Sequence, residues 1–158
     1  MSNTKSKGKQ TKITLQIKTS SDFIPKRSSL RYWIKIVLRH HGSNSAEINL
    51  RVVNWQESAD LNLRFREKKA ATNVLAFPFE APPSMHSSLL GDVVICAAVV
   101  NEEAKLQHKT EAAHWAHLVI HGCLHLLGYD HITEEEALKM EQLETQLLED
   151  IGYADPYH

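Results

Sequence analysis

The sequence predicts a single α/β (α+β) domain, in which a mixed sheet of about four strands packs against several helices. Three observations support this. The chain has 158 residues, enough for one domain with a sizeable buried core. Its hydrophobic share is 42%, ordinary for a folded protein and too high for a disordered one. Finally, short β-branched stretches with alternating polarity are interleaved with longer stretches of helical period, and no internal repeat is visible.

Residues 1–10, MSNTKSKGKQ, read as a flexible basic tail without the apolar core of a secretory signal. The domain is expected over 11–158. Lys12 to Ser20 alternates, with Ile13, Leu15 and Ile17 on one face of a half-buried strand. From about Pro25 to His40, the residues Leu30, Trp33, Ile34, Ile36, Val37 and Leu38 predict a helix, with Pro25 suited to its first turn. Ile48 to Val53 is a second strand, and Ser58 to Arg66 a short helix. Thr72 to Phe79 is a strand that Pro78 pushes to a sheet edge. The Pro- and Ser-rich stretch 81–88 is a loop, and Leu89 to Cys96 is the fourth strand. Helices follow over Ala97–Gln107 and Glu111–Leu127. The last helix starts at a capping box of Thr133 and Glu136, buries Ala137, Met140, Leu143, Leu147 and Ile151, and ends at Gly152. Its acidic residues Glu134, Glu135, Glu136, Glu141 and Glu144 are expected to face solvent.

Composition excludes some classes of function. No apolar run approaches the roughly 20 residues that span a bilayer, so no membrane partner is expected. The two cysteines, Cys96 and Cys123, form no CxxC pair and no disulfide framework, which points to a reducing cytoplasm. Charge is divided unevenly: residues 1–70 hold 15 Lys/Arg against 5 Asp/Glu, and residues 71–158 hold 3 against 14. A basic half suits an anionic partner such as nucleic acid, although the halves can equally pair with each other.

The informative segment is HGCLHLLGYDH, residues 121–131. Residues four apart on a helix lie on one face, so His121 and His125 can aim ring nitrogens at one ion roughly 2.0–2.1 Å away. Gly128 can end the helix in a left-handed conformation, and the returning chain brings His131 as a third ligand. Three protein ligands leave a fourth tetrahedral position open, the pattern of a catalytic zinc site with one Zn2+ per chain. The rest of the helix is apolar on nearly all sides, so its histidines need partners. His114 and His117 are read as packing or supporting residues, with His117 placed to orient a ligand. Cys123 projects away from His121 and is expected in the core.

Two families share this geometry. The metzincin pattern HExxHxxGxxH is matched at His121, His125, Gly128 and His131, but Gly122 stands where those proteases carry their general-base glutamate. The whole segment instead resembles the YbeY family of bacterial endoribonucleases, whose hallmark is HGxLHLxGYDH, with Cys123 and Leu127 at its free positions. TNVLAFPFE at 72–80, LLGDVVIC at 89–96, EAAHWAHLVIH at 111–121 and IGYADPY at 151–157 also look like family segments. One departure is Ala76, where a serine is expected in many relatives.

The resemblance implies a zinc-dependent, single-strand-specific endoribonuclease. Its expected partners are single-stranded RNA, ribosomal RNA and ribosomal particles, and its expected work is maturation of the 16S rRNA 3′ end and ribosome quality control. Carried over residue by residue, it implies His121, His125 and His131 as zinc ligands and Arg66 as the functional arginine upstream of the TNVL segment. Arg66 would clamp the scissile phosphate; without the resemblance it is one more cation beside Arg64, Lys68 and Lys69. Asp130 has two readings: a functional carboxylate that hydrogen-bonds a ligand histidine or accepts a proton, or a plain turn residue after Gly128. The competing functions are a protease, disfavoured by Gly122, and a zinc-stabilised factor that binds immature ribosomal particles without cutting RNA.

Overall fold

The structure, a computed structural model, describes residues 11–42, 45–85 and 87–157; the expected tail at 1–10 lies outside the described residues. Four strands and five helices occur among them, in the order β1 (Lys12–Ile17), α1 (Arg27–His41), β2 (Glu47–Val53), α2 (Trp55–Arg66), β3 (Val74–Pro78), β4 (Leu89–Cys96), α3 (Ala97–Leu106), α4 (Glu111–Leu126) and α5 (Glu134–Asp150). They form a single domain around one mixed sheet in the order β1-β2-β4-β3. β1, β2 and β4 run parallel, and β3 pairs antiparallel with β4 at the edge. Pro78 closes that edge strand, where a missing N–H costs least.

Alternation along the strands divides the core between two faces. Ile48, Leu50 and Val52 of β2, with Val93 and Ile95 of β4, point to the face where α1 and α4 bury Leu30, Ile34, Trp115, Val119 and Ile120. Val53, Leu75, Val94 and Cys96 point the other way and form a smaller cluster with Leu61, Phe77 and Val99. α4 is thus a central helix, apolar nearly all round, and its Trp115 Nε1–H finds a partner in Asn101 Oδ1 at 2.8 Å.

The predicted elements are present, with shifted boundaries. α2 begins at Trp55, three residues ahead of the expected start, because the Asn54 side chain caps it by accepting the Glu57 N–H at 2.9 Å. Pro25 lies outside α1, one residue before the cap residue Lys26, and its buried ring and Leu30 occupy the two positions of a hydrophobic staple. β1 ends at Ile17 instead of Ser20, because its partner β2 offers one further carbonyl, Val52 O, to the Lys18 N–H. β3 begins at Val74, two residues late, because the Asn73 side chain takes the Val74 N–H at 2.6 Å. On α5 the Thr133–Glu136 capping box is formed in both directions, and Met140 and Leu147 are buried. Ala137, Leu143 and Ile151 are only half-buried. Among the described residues no helix is long and apolar enough to cross a membrane.

Candidate metal centre

α4 sets the site. Its first turn is fixed by Thr110, whose hydroxyl accepts the Ala113 N–H at 3.2 Å. Its last turn closes as a Schellman motif: Gly128 N–H donates to His125 O at 3.0 Å and Tyr129 N–H to Leu124 O at 3.1 Å. Gly128 has φ 101°, a left-handed conformation that glycine adopts without the Cβ penalty. The chain therefore reverses within three residues of the helix, and His131 returns beside His121 and His125. Asp130 tightens the return, its Oδ1 accepting the His131 backbone N–H at 2.7 Å.

The three rings converge. Their centroids lie 4.7 Å (His121–His125), 5.1 Å (His125–His131) and 5.7 Å (His121–His131) apart. One ring nitrogen from each lies within 4.8 Å of the others. His121 Nε2 and His125 Nε2 face each other at 3.2 Å. Two nitrogens bound to one tetrahedral zinc at 2.0–2.1 Å would sit about 3.3 Å apart. The donor set and its spacing therefore fit a divalent cation.

A buried carboxylate settles which nitrogen of His121 is bare. Glu144 Oε2 accepts from His121 Nδ1 at 2.6 Å, so the neutral ring carries its proton on Nδ1 and presents an unprotonated Nε2 to His125. Glu144 Oε1 accepts from His117 Nε2 at 2.7 Å. Here the structure corrects the sequence reading: Glu144 was expected on a solvated acidic face, yet its exposure is 0%. It stands in register with Met140, Leu147 and Leu148 on the buried stripe of α5. That spacing was readable in the sequence, but the glutamates around it masked it. Burial alone would raise the Glu144 carboxyl, but the hydrogen bonds from His117 and His121 overcome this and hold it down at about 2. His125 is lowered by burial and then by its neighbours His121 and His131, which favours the neutral, ligating form.

His117, His121 and Glu144 also bring three donor atoms within 4.8 Å of one another. Both imidazoles donate to the carboxylate there, so this group is a hydrogen-bonded support behind His121. His117 is thus linked to His121 through Glu144. His114 belongs to another pair, with Nε2 at 2.9 Å from Glu103.

The bare side of the triad opens into a cavity of about 460 Å³, whose lining includes His121, His125, His131, Asp130, Asn73 and Arg66. Arg66, the last residue of α2, is brought there by polar ties between that helix and the segment leading to β3. Ser58 Oγ donates to Thr72 O and accepts Thr72 N–H, each at 3.0 Å, and Asn62 Nδ2 donates to Ala70 O at 2.7 Å. Gly122 lies at the cavity wall, where α4 presses on the sheet: a Cβ there would meet Val93 Cγ1 at 2.7 Å and Val74 Cγ2 at 3.1 Å. The position that carries the general base in metzincins therefore has no room even for a methyl group. Cys123 is fully buried, and burial pushes its thiol up to about 12, as expected of a core residue.

The solution structure of TM1509 from Thermotoga maritima shares the fold, with a TM-score of 0.57 at 24% identity over 90% of this chain and 98% of that one. Residues 13–152 match the family described as Endoribonuclease YbeY. The chain belongs to that family, the metal-dependent endoribonucleases of ribosomal RNA processing.

Proposed function

We propose that this chain is a zinc-dependent, single-strand-specific endoribonuclease of the cytoplasm. It acts on ribosomal particles, in maturation of the 16S rRNA 3′ end and in ribosome quality control. His121, His125 and His131 hold the ion through one ring nitrogen each. The observation that carries this reading is the convergence of three imidazoles, one with its tautomer set by Glu144, on a cavity that Arg66 also lines.

Zinc held there supplies a Lewis acid for phosphodiester chemistry. The chain's own residues do the rest. Arg66 offers a planar fork of N–H donors to the scissile phosphate and offsets the charge that grows on it as the bond breaks. Asn73 and Thr72 line the same cavity. With Gly122 carrying no side chain, the helix contributes no carboxylate at the metzincin base position, which disfavours peptide hydrolysis.

The test is purified full-length protein on single- and double-stranded RNA, with and without chelator, beside the Arg66→Glu variant. Wild type should cut the single strand only, and chelator should stop it. Arg66→Glu should keep its zinc by elemental analysis while cleavage falls about 10²–10³-fold, the usual cost of losing one transition-state donor. Chelator-insensitive cleavage, or an Arg66→Glu variant of full activity, would overturn the reading.

A further inference from the structure

Glu144 has three donors for its two oxygens. Oε2 takes the proton of His121 Nδ1, whereas Oε1 takes both His117 Nε2–H and the hydroxyl of Tyr157. Tyr157 also lies 3.2 Å from His117 Nε2 through its hydroxyl, with the two rings edge to face at 5.3 Å. It comes from the segment that follows α5, far in sequence from the triad.

That segment is tied down along its length. Lys109 Nζ donates to Pro156 O at 2.8 Å, Thr145 Oγ1 to Asp155 Oδ1 at 3.3 Å, and the Tyr157 N–H to Asp155 Oδ1 at 2.8 Å. Tyr157 as a residue is 43% exposed, so it adds little to the core, yet its hydroxyl is aimed inward at an oxygen of a residue with no exposure. A carboxylate can rotate about its last bond and offer either oxygen to a neighbour. Two donors on Oε1 stop that rotation and leave Oε2 facing His121.

We propose that residues 152–157 form a strap whose Tyr157 hydroxyl locks the Glu144 carboxylate, so that Tyr157 is a positioning residue for His121 and raises the affinity of the triad for its metal. The inference rests on the reading of His121, His125 and His131 as the metal site. It concerns how firmly one of those rings is aimed before any ion arrives. Outer partners of ligating histidines act in this way, by fixing tautomer and ring orientation.

The experiment compares full-length wild type, Tyr157→Phe and Glu144→Gln. Zinc affinity is measured by competition with a chromogenic chelator, the His121 tautomer by long-range ¹H–¹⁵N spectra of the metal-free protein, and stability by metal-free thermal melts. Glu144→Gln should weaken zinc about 10–100-fold and lose the Nδ1–H tautomer, whereas Tyr157→Phe should weaken it about 3–10-fold, a fraction of that loss. The Tyr157→Phe melt should match wild type. Zinc affinity unchanged in Tyr157→Phe, or a loss that simply follows a fall in its melting temperature, overturns the strap. Wild type that takes up no zinc overturns the triad reading itself, a failure visible before any variant is made.

Discussion

His121 and His131 reach one cavity from opposite surroundings. The first stands on a central helix and is backed by a carboxylate with no exposure, itself held by His117 and Tyr157. The second stands on an exposed turn, held by the Gly128 reversal and by Asp130 on its backbone N–H. The buried side fixes direction in advance, at the cost of desolvating a charge that must keep a donor on each of its two oxygens. The open side would leave the remaining position of an ion bound there reachable from the cavity. A metal site needs both, and they should fail in different ways.

The largest expected effect comes from removing a ligand on either side. His125→Ala and His131→Ala should each lose stoichiometric zinc and chelator-sensitive RNA cleavage. His131→Ala, on its exposed turn, should keep the wild-type metal-free melting temperature. His121→Ala should lose zinc and also destabilise the metal-free protein, because it leaves Oε2 of a buried carboxylate unpaired. Elemental analysis and calorimetry on the three variants read this directly; equal melts for His121→Ala and His131→Ala would erase the contrast.

The second effect isolates the buried side by pH. Glu144 ionises near 2 in the folded protein against an ordinary 4.5. Its contribution to stability is therefore complete above about pH 4.5 and drains away as pH falls toward 2. For the metal-free protein it is on the order of 3 kcal/mol. Urea titrations in steps from neutral pH to about pH 2 should show this part of the acid loss in wild type and not in Glu144→Gln. The same acid slope in both proteins would mean that the carboxylate is not held as described.

The third variant presses on the wall behind the triad. Gly122→Ala would place a methyl group 2.7 Å from Val93 Cγ1, so α4 must lift from the sheet or Val93 must turn away. Overpacking of this kind costs about 1–3 kcal/mol, readable as a lower urea midpoint with unchanged slope. Since both α4 ligands move with the helix, zinc affinity should fall alongside. Wild-type stability in Gly122→Ala would mean that the helix seat is looser than the glycine suggests.

These contrasts also mark what was legible in the sequence. The open side was nearly all written there: the four-residue spacing of His121 and His125, the glycine that ends the helix, the histidine that follows the turn. Such features are local, and local geometry is what periodicity and capping report. The sheet was legible for the same reason, including the edge position that Pro78 forces on β3. Glu144 was not, because its role comes from two helices packing across 23 residues of separation. Its clue, a glutamate in step with Met140 and Leu147, was hidden in a helix crowded with solvent-facing acids. Arg66 sits between these cases. Its run of cations told nothing by itself, and its place at the cavity depends on the Ser58 and Asn62 ties that only the folded chain reveals.

The smallest effect separates the two readings of Asp130. Its Oδ1 takes the His131 backbone N–H, a turn-forming bond that asparagine can make as well. Its charge also opposes, as a lesser influence, the lowering of His125 by burial and by the other two rings. If the turn bond is its main work, Asp130→Asn should change zinc affinity by far less than the about 10-fold or more that loss of an outer partner costs, whereas Asp130→Ala should weaken zinc more by loosening the return of His131. Should asparagine prove as damaging as alanine, the charge itself would matter, and the exposed side of the triad would depend on a carboxylate just as the buried side does.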